Sequence, residues 1–556
     1  MADRAVAPEP KTAADEQLDR LAQARFDALV ARNPVFATFL GLHQYDGQLG
    51  DASRDAFLAE AQQTRDYQTA LEAIDPAELS AYHATERELA LFVTRREVFD
   101  IDVHRVWERR ASATDEIGDG IFLLFAREGR PLADRLEAIA SRLEAAPRHL
   151  KQSRSRMAGD QPPVRLWNEI ELEAVGSLPS MFDVILDAAR RELGDSHTVT
   201  RRIEKAAAQA RLALDEYGAW VKQQIARGVD EFALGVANFD TLVGLRAFDG
   251  LSADDILAIG EEQLAAERAS REAVAREIDP SATAQEVVDR VKSEHPADFT
   301  GALDEYRAAM FQARQFILDH DLATIPEGEK LLVVETPEYM RGVVPFAAYF
   351  SPGKFEPGNP TGIYVVTPSL DGDPRAMREH NHASIYNTSI HEAYPGHHLQ
   401  LVVANQHPSL TRILVDAPEF VEGWAMYCEL MMREQGFDTA PKHRLMMHTD
   451  AIWRACRIIV DVKLQRGQMS VGEAVDFLVE QTGFERPQAA AEVNWYTYRP
   501  TYPMSYLLGR QLLRRLRADE QKRLGASFSL KGFHDALLNQ SGLPISFQRR
   551  LLTRGG

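Results

Sequence analysis

Cysteine is nearly missing from this sequence: 556 residues hold two, Cys428 and Cys456, with no CxxC spacing. That excludes a disulfide framework and a thiolate metal knuckle, and leaves two buried free thiols as the expectation. Long apolar runs are missing as well. No uncharged apolar stretch approaches the roughly 18 residues a membrane helix requires, so no span is expected. The opening segment, MADRAVAPEPKTAADEQLDR, lacks an apolar region behind a basic start. No secretory signal is therefore expected, and the chain reads as cytoplasmic. Basic charge is short too: 63 Lys and Arg face 83 Asp and Glu, a formal net charge of −20. A nucleic acid or an anionic membrane is recognised by basic patches, so neither is expected as a partner. Repeats of fixed period, the mark of a solenoid, are also absent.

What is present is helical periodicity. LDRLAQARFDALVA, RLEAIASRLEAA, ADDILAIGEEQLAAERASREAVAREI and DEYRAAMFQARQFILDH repeat apolar residues at three- and four-residue steps, with good helix formers between. A chain of 556 residues exceeds what one compact core holds, so two lobes are expected. Residues 1–15 read as a mobile tail, 16–325 as a helical N-terminal half that roofs a cleft, and 326–556 as a catalytic half. The texture changes near Pro326. KLLVVET (330–336), GVVPFAAYF (342–350) and TGIYVVTP (361–368) are short, β-branched and bounded by Pro or Gly, and predict a small antiparallel sheet over 330–368. TGIYVVTP is the expected edge strand, onto which an extended peptide could add. The fold expected is mainly α and two-lobed, with this sheet ahead of the motif helix.

The motif is HEAYPGHHLQ, His391 to Gln400. A zinc peptidase helix of the HExxH type places two histidines four apart with a glutamate base between them. Here the next histidines are His397 and His398, six and seven positions after His391. At about 100° per residue, seven steps return His398 to the face of His391, and six leave His397 well off it. Pro395 and Gly396 break that regularity, since proline crowds the preceding turn and glycine frees the backbone. Spacing leaves both histidines open as the second ligand. A third ligand is offered by Glu422 in EFVEGWAMYCELMM, where a carboxylate in an apolar helix calls for a partner or a metal. Glu429, seven residues on, shares its face and suits a hydrogen bond from a ligand histidine.

HEAYPGHHLQ followed by FVEGWAMYCE resembles a bacterial domain-of-unknown-function family marked by HExxPGHHxQ and EGWAxYxE, itself similar to the gluzincin peptidases such as thimet oligopeptidase and angiotensin-converting enzyme. NPVFATFLGLHQYDGQLGD and PTYPMSYLLGR extend the likeness toward both ends. The resemblance implies one zinc ion per chain, held by His391, His397 and Glu422, with Glu392 as general base and Tyr506 as donor to the oxyanion. Tyr502 and His398 stand behind Tyr506 in that role. Arg499 and Arg510, which flank the tyrosines, could grip a substrate carboxylate. The chain departs from the family's usual text at Thr501-Tyr502 and at Trp495, both beside the expected substrate site. The expected activity is hydrolysis of short peptides. The alternatives are a zinc amidohydrolase acting on a small-molecule amide and a non-catalytic helical scaffold, and retention of Glu392 argues against the scaffold.

Overall fold

Helix starts follow capping chemistry. Thr12, Ser252, Thr283 and Ser470 each accept a hydrogen bond from the backbone three residues on, and the acidic residue there bonds back. Each reciprocal cap satisfies donors that a helix start leaves unpaired and is worth about 1 kcal/mol. These caps open the helices Ala13–Arg32, Ala253–Ile278, Ala284–Ser293 and Val471–Thr482. The computed structural model describes residues 11–127, 129–336, 347–357, 361–368 and 374–554, and is mainly helical. The expected tail is corrected at its inner end, because Thr12 already caps a helix; residues 1–10 lie outside the described residues. No described helix is long and apolar enough to cross a membrane. Cys428 and Cys456 are free and fully buried, and burial pushes both thiols up.

Two large apolar clusters carry the core. One joins Ile121, Leu143, Phe182 and Tyr217 among the helices between residues 49 and 221. The other runs from Phe239 to Ile545 and unites Ile256, Tyr306 and Met310 with the apolar faces of the motif helices. The helix Ala253–Ile278 packs along Pro441–Gln465, and Phe299–Asp319 packs on the helix His382–Glu392. The division expected at residues 325 and 326 is therefore not a boundary between buried cores. Helices read as part of the N-terminal half bury their apolar stripes against the C-terminal one.

The three strands form one mixed sheet. Strands β1 (Lys330–Glu335), β2 (Ala347–Phe350) and β3 (Thr361–Val366) lie in the order β1-β3-β2. β1 runs parallel to β3, from Lys330 opposite Thr361 to Glu335 opposite Val366. β2 runs antiparallel to β3, from Ala347 opposite Val366 to Phe350 opposite Ile363. This corrects two expectations: the sheet is not wholly antiparallel, and TGIYVVTP is its centre rather than an edge. The physical reason is visible in the residues. Tyr364, Val365 and Val366 are all buried, as befits a strand covered on both faces, whereas β1 exposes Lys330, Leu332 and Glu335. Residues 342–346 of the expected second strand, and 369–373 of the loop after the third, lie outside the described residues.

One contact sets the position of the helix Pro418–Glu434. It lies against Ser505–Leu524 with Gly423 facing Gly509. A Cβ on Gly423 would sit 2.5 Å from the Gly509 Cα, and one on Gly509 would sit 1.9 Å from the Glu419 carbonyl oxygen. Only glycine permits this approach of two backbones, one residue away from Glu422.

Candidate metal centre

The helix His382–Glu392 begins at Asn381, whose side-chain oxygen accepts the Ser384 amide at 2.9 Å. It carries His391 near its end and stops at Ala393. Tyr394 and Pro395 follow, joined by a cis peptide bond, and a new helix runs from His397 to Gln406. The break in regularity expected at Pro395 and Gly396 thus takes the form of two helices with a tight turn between them. Pro395 has no amide to continue the first ladder, and Gly396 turns its own amide back to the Ile390 carbonyl at 3.1 Å. A Cβ at Gly396 would lie 1.8 Å from the His391 carbonyl oxygen, so the turn requires glycine. The Trp424 indole donates to the Pro395 carbonyl at 2.8 Å, fastening this turn to the helix that bears Glu422.

The turn brings His397, not His398, beside His391. The two rings lie 4.8 Å apart at 85°, and ligand atoms of His391, His397 and Glu422 all fall within 4.8 Å of one another. The Glu422 Oε2 is 3.3 Å from His397 Nε2 and 3.9 Å from His391 Nε2. His391 Nδ1 bonds Glu429 Oε1 at 2.7 Å, which fixes the ring and leaves Nε2 facing Glu422. Glu429 is itself held by the Asn387 amide at 3.1 Å. Arg433 donates to the Asn387 side-chain oxygen at 3.1 Å and so braces the same pair.

His398 points elsewhere. It is fully buried, with Nε2 2.7 Å from Glu329 and Nδ1 3.0 Å from the Tyr349 hydroxyl. Tyr394 donates to the same Glu329 oxygen at 2.5 Å, and Arg314 meets the other at 3.1 Å. Successive helix residues diverge by about 100°, so a helix restarting at His397 sends its neighbour to a different wall.

Burial raises the pKa of Glu422, but the charges of His397 and His391 and the Tyr502 hydroxyl outweigh it and hold the carboxyl at about 2. Burial lowers that of His397, yet Glu422 lifts the imidazole to about 9. Tyr502 donates to Glu422 Oε1 at 3.0 Å. Burial and the Glu422 charge push both Tyr502 and Tyr506 up, so each keeps its proton at neutral pH. The Arg457 guanidinium lies over the Tyr506 ring, 4.7 Å from its centroid. Glu392 is half-buried at the end of the histidine helix, and its charge adds to the field that raises His397.

The two arginines differ. Arg510 is buried and paired with Glu267, whose other oxygen meets His448 at 2.6 Å, so its guanidinium is committed inside the protein. Arg499 is exposed and lines a cavity of about 680 Å³ that Tyr502 also lines. Helices Ala13–Arg32, Arg54–Glu72 and Ala81–Phe99 form the far wall of that cavity.

Sequence reasoning passed over Asn387, Arg433, Trp424, Glu329 and Tyr349. Asn387 lies one turn before His391 and Arg433 one turn after Glu429, so helical spacing carried a signal for both. Glu329 stands in a loop and Tyr349 on a strand distant in sequence, and no local pattern marks them.

Two imidazoles and one carboxylate, in reach of a single point, match the donor set of a catalytic zinc site, which keeps a position open for substrate. The carboxylate-bound His391 and a buried His397 Nδ1 with no partner among the described residues fit the same group. A family model described as "Bacterial protein of unknown function (DUF885)" matches residues 34–552. A search of curated proteins returns no match. A solved structure from Shewanella oneidensis, provisionally described as a lipoprotein of unknown function, is similar over 96% of this chain and 99% of its own, with a TM-score of 0.77 and 22% identity. Another from Colwellia psychrerythraea, provisionally described as a lipoprotein, is similar over 98% of this chain and 99% of its own, with a TM-score of 0.85 and 17% identity. At these identities the likeness speaks for the fold. With the family match running from the first helices to the last, the chain belongs to the bacterial family of unknown function DUF885.

Proposed function

We propose that this protein is a zinc-dependent hydrolase of peptide bonds in short peptides, distantly akin to the gluzincins, with one ion per chain. The observation that carries the reading is the convergence of His391, His397 and Glu422 next to Glu392. A zinc ion held by those three residues would supply Lewis acidity, polarising a carbonyl and acidifying water. Glu392 takes a proton from the attacking water and delivers it to the leaving amine. The Tyr506 hydroxyl, which keeps its proton, donates to the developing oxyanion, and Tyr502 could do so only by releasing its bond to Glu422. Glu429 keeps His391 in the tautomer that presents Nε2. β2 is an edge strand whose Tyr349 reaches His398, and it replaces β3 as the candidate rail for an extended peptide.

A second reading has support from the cavity. A volume of about 680 Å³ also suits a small-molecule amide, which the same residues could cleave. A panel of dipeptides to decapeptides against acyl-amides separates the two. The solved neighbours are described as lipoproteins, so a cytoplasmic location draws no support from them. The decisive experiment is metal analysis of the purified chain with its Glu392→Gln variant. Turnover should fall by about 10²–10⁴-fold while zinc content stays that of the wild type. Undiminished turnover in Glu392→Gln would remove the base from the mechanism.

A further inference from the structure

The cavity beside Tyr502 is a positive spot on a negative protein. Six arginines and four carboxylates line it, on a chain of net charge −20. Most of these guanidiniums are committed. Arg25 meets Glu97 at 2.9 Å, Arg96 and Arg246 share Asp416, and Arg110 meets Asp115 at 2.8 Å. Two are not. Arg156 and Arg499 form no hydrogen bond or ion pair from their guanidiniums to a described residue. The Nε of Arg156 is buried with no partner, and its guanidinium lies over the Phe57 ring at 5.6 Å. Glu60, Asp51 and Glu116 act on Arg156 only through their fields, and Asp119 lies in the field of Arg499.

Arg156 is half-buried and without a counter-ion, so it forfeits hydration that an anion would restore; Arg499 is exposed and adds a second uncommitted guanidinium on the same cavity, and arginine pairs best with a planar, two-oxygen anion. None of His391, His397 and Glu422 lines the cavity, but Tyr502 does and its hydroxyl bonds Glu422, so this one side chain links the cavity wall to the donor cluster. Building on the peptidase reading, we propose that Arg156 and Arg499 form a carboxylate-binding subsite, and that the preferred substrates are peptides carrying a negative charge at the end that enters this cavity. Two sources offer that group, the free C-terminus and an acidic side chain.

Calorimetry on the full-length Glu392→Gln chain, with zinc present, tests this. Three alanine hexapeptides serve as probes: one with a free C-terminus, one C-terminally amidated, and one amidated with a glutamate in place of one alanine. The free acid should bind about tenfold or more tightly than the neutral amide, as expected for a charge-assisted pair. Recovery of that gain by the amidated glutamate peptide assigns the subsite to side chains as well; no recovery assigns it to the terminus. Arg156→Gln and Arg499→Gln, each added to Glu392→Gln, should erase the preference. Arg499 is exposed, so its variant keeps the test valid if Arg156→Gln folds poorly. Equal binding of all three peptides, no binding of any, or a preference that survives both arginine changes overturns the proposal. Hydrolysis by the wild type is scored separately. Charge-selective binding without hydrolysis defeats the peptidase reading alone, and hydrolysis without charge selectivity defeats this subsite alone.

Discussion

His397 and His398 are neighbours in sequence and opposites in surroundings. His398 sits in a closed pocket where both ring nitrogens are bonded, to Glu329 and to Tyr349, and where Glu329 is further bound by Tyr394 and Arg314. His397 meets one carboxylate at 3.3 Å, shares it with His391, and leaves Nδ1 without a partner among the described residues. His398 is fully buried and His397 nearly so, each beside a glutamate, so burial and a carboxylate do not distinguish a candidate ligand from a structural histidine. Saturation does. A ring whose nitrogens are both satisfied by protein has nothing to give an ion, while a set of donors that face one another without satisfying one another is suited to hold one.

The sharpest way to break this contrast is to exchange the two sites' fates. His397→Ala should abolish stoichiometric zinc, measured by atomic spectroscopy, with little change in the melting temperature of the metal-free protein. His398→Ala should retain zinc yet lose about 2 kcal/mol of stability in denaturant melts, because it opens a buried void and takes a hydrogen-bond partner from both Glu329 and Tyr349. Zinc lost from the second variant and kept by the first would reverse the assignment.

His534 extends the comparison to a third ring. Nδ1 bonds the Leu322 carbonyl at 2.7 Å and Nε2 meets the Tyr427 hydroxyl at 2.8 Å, so this histidine is as closed as His398. Full burial lowers its pKa from 6.5 to about 4. The unfolded chain therefore binds the extra proton between those values, and stability falls as pH drops from about 6.5 toward about 4. The loss for this one group approaches about 3 kcal/mol. Denaturant melts at pH 7 and 4.5 should show a smaller pH effect in His534→Gln than in the wild type; an identical effect would mean the ring is not held neutral. The mildest intervention acts on the partner of His391. Glu429→Gln should keep the fold and weaken zinc binding about 10–100-fold in competition with a chelator. An unchanged affinity would show that the ring needs no anchoring carboxylate.

The residues legible in the sequence were those whose chemistry contradicts their local pattern. Glu422 stood out because an apolar helix around a carboxylate is costly, and Glu429 followed from it by helical spacing. The strand segments near Val333 and Val365 were legible from their β-branched runs, but their order was not. Pairing β1 with β3 in parallel depends on which strand is covered on both faces, a property of the packed molecule. The histidine face could not be read because regular geometry fails between Ala393 and Gly396, where the chain leaves one helix and starts another. Arg510 resembled a substrate clamp in sequence, and its partner Glu267 lies on a helix far back along the chain.

The indole of Trp424 has a consequence beyond packing. By tying the Pro395 carbonyl to the residue after Glu422 but one, it makes the imidazole pair and the carboxylate travel together. Thermal drift of the surrounding helices would then displace the whole claw as a unit and leave its grip geometry intact.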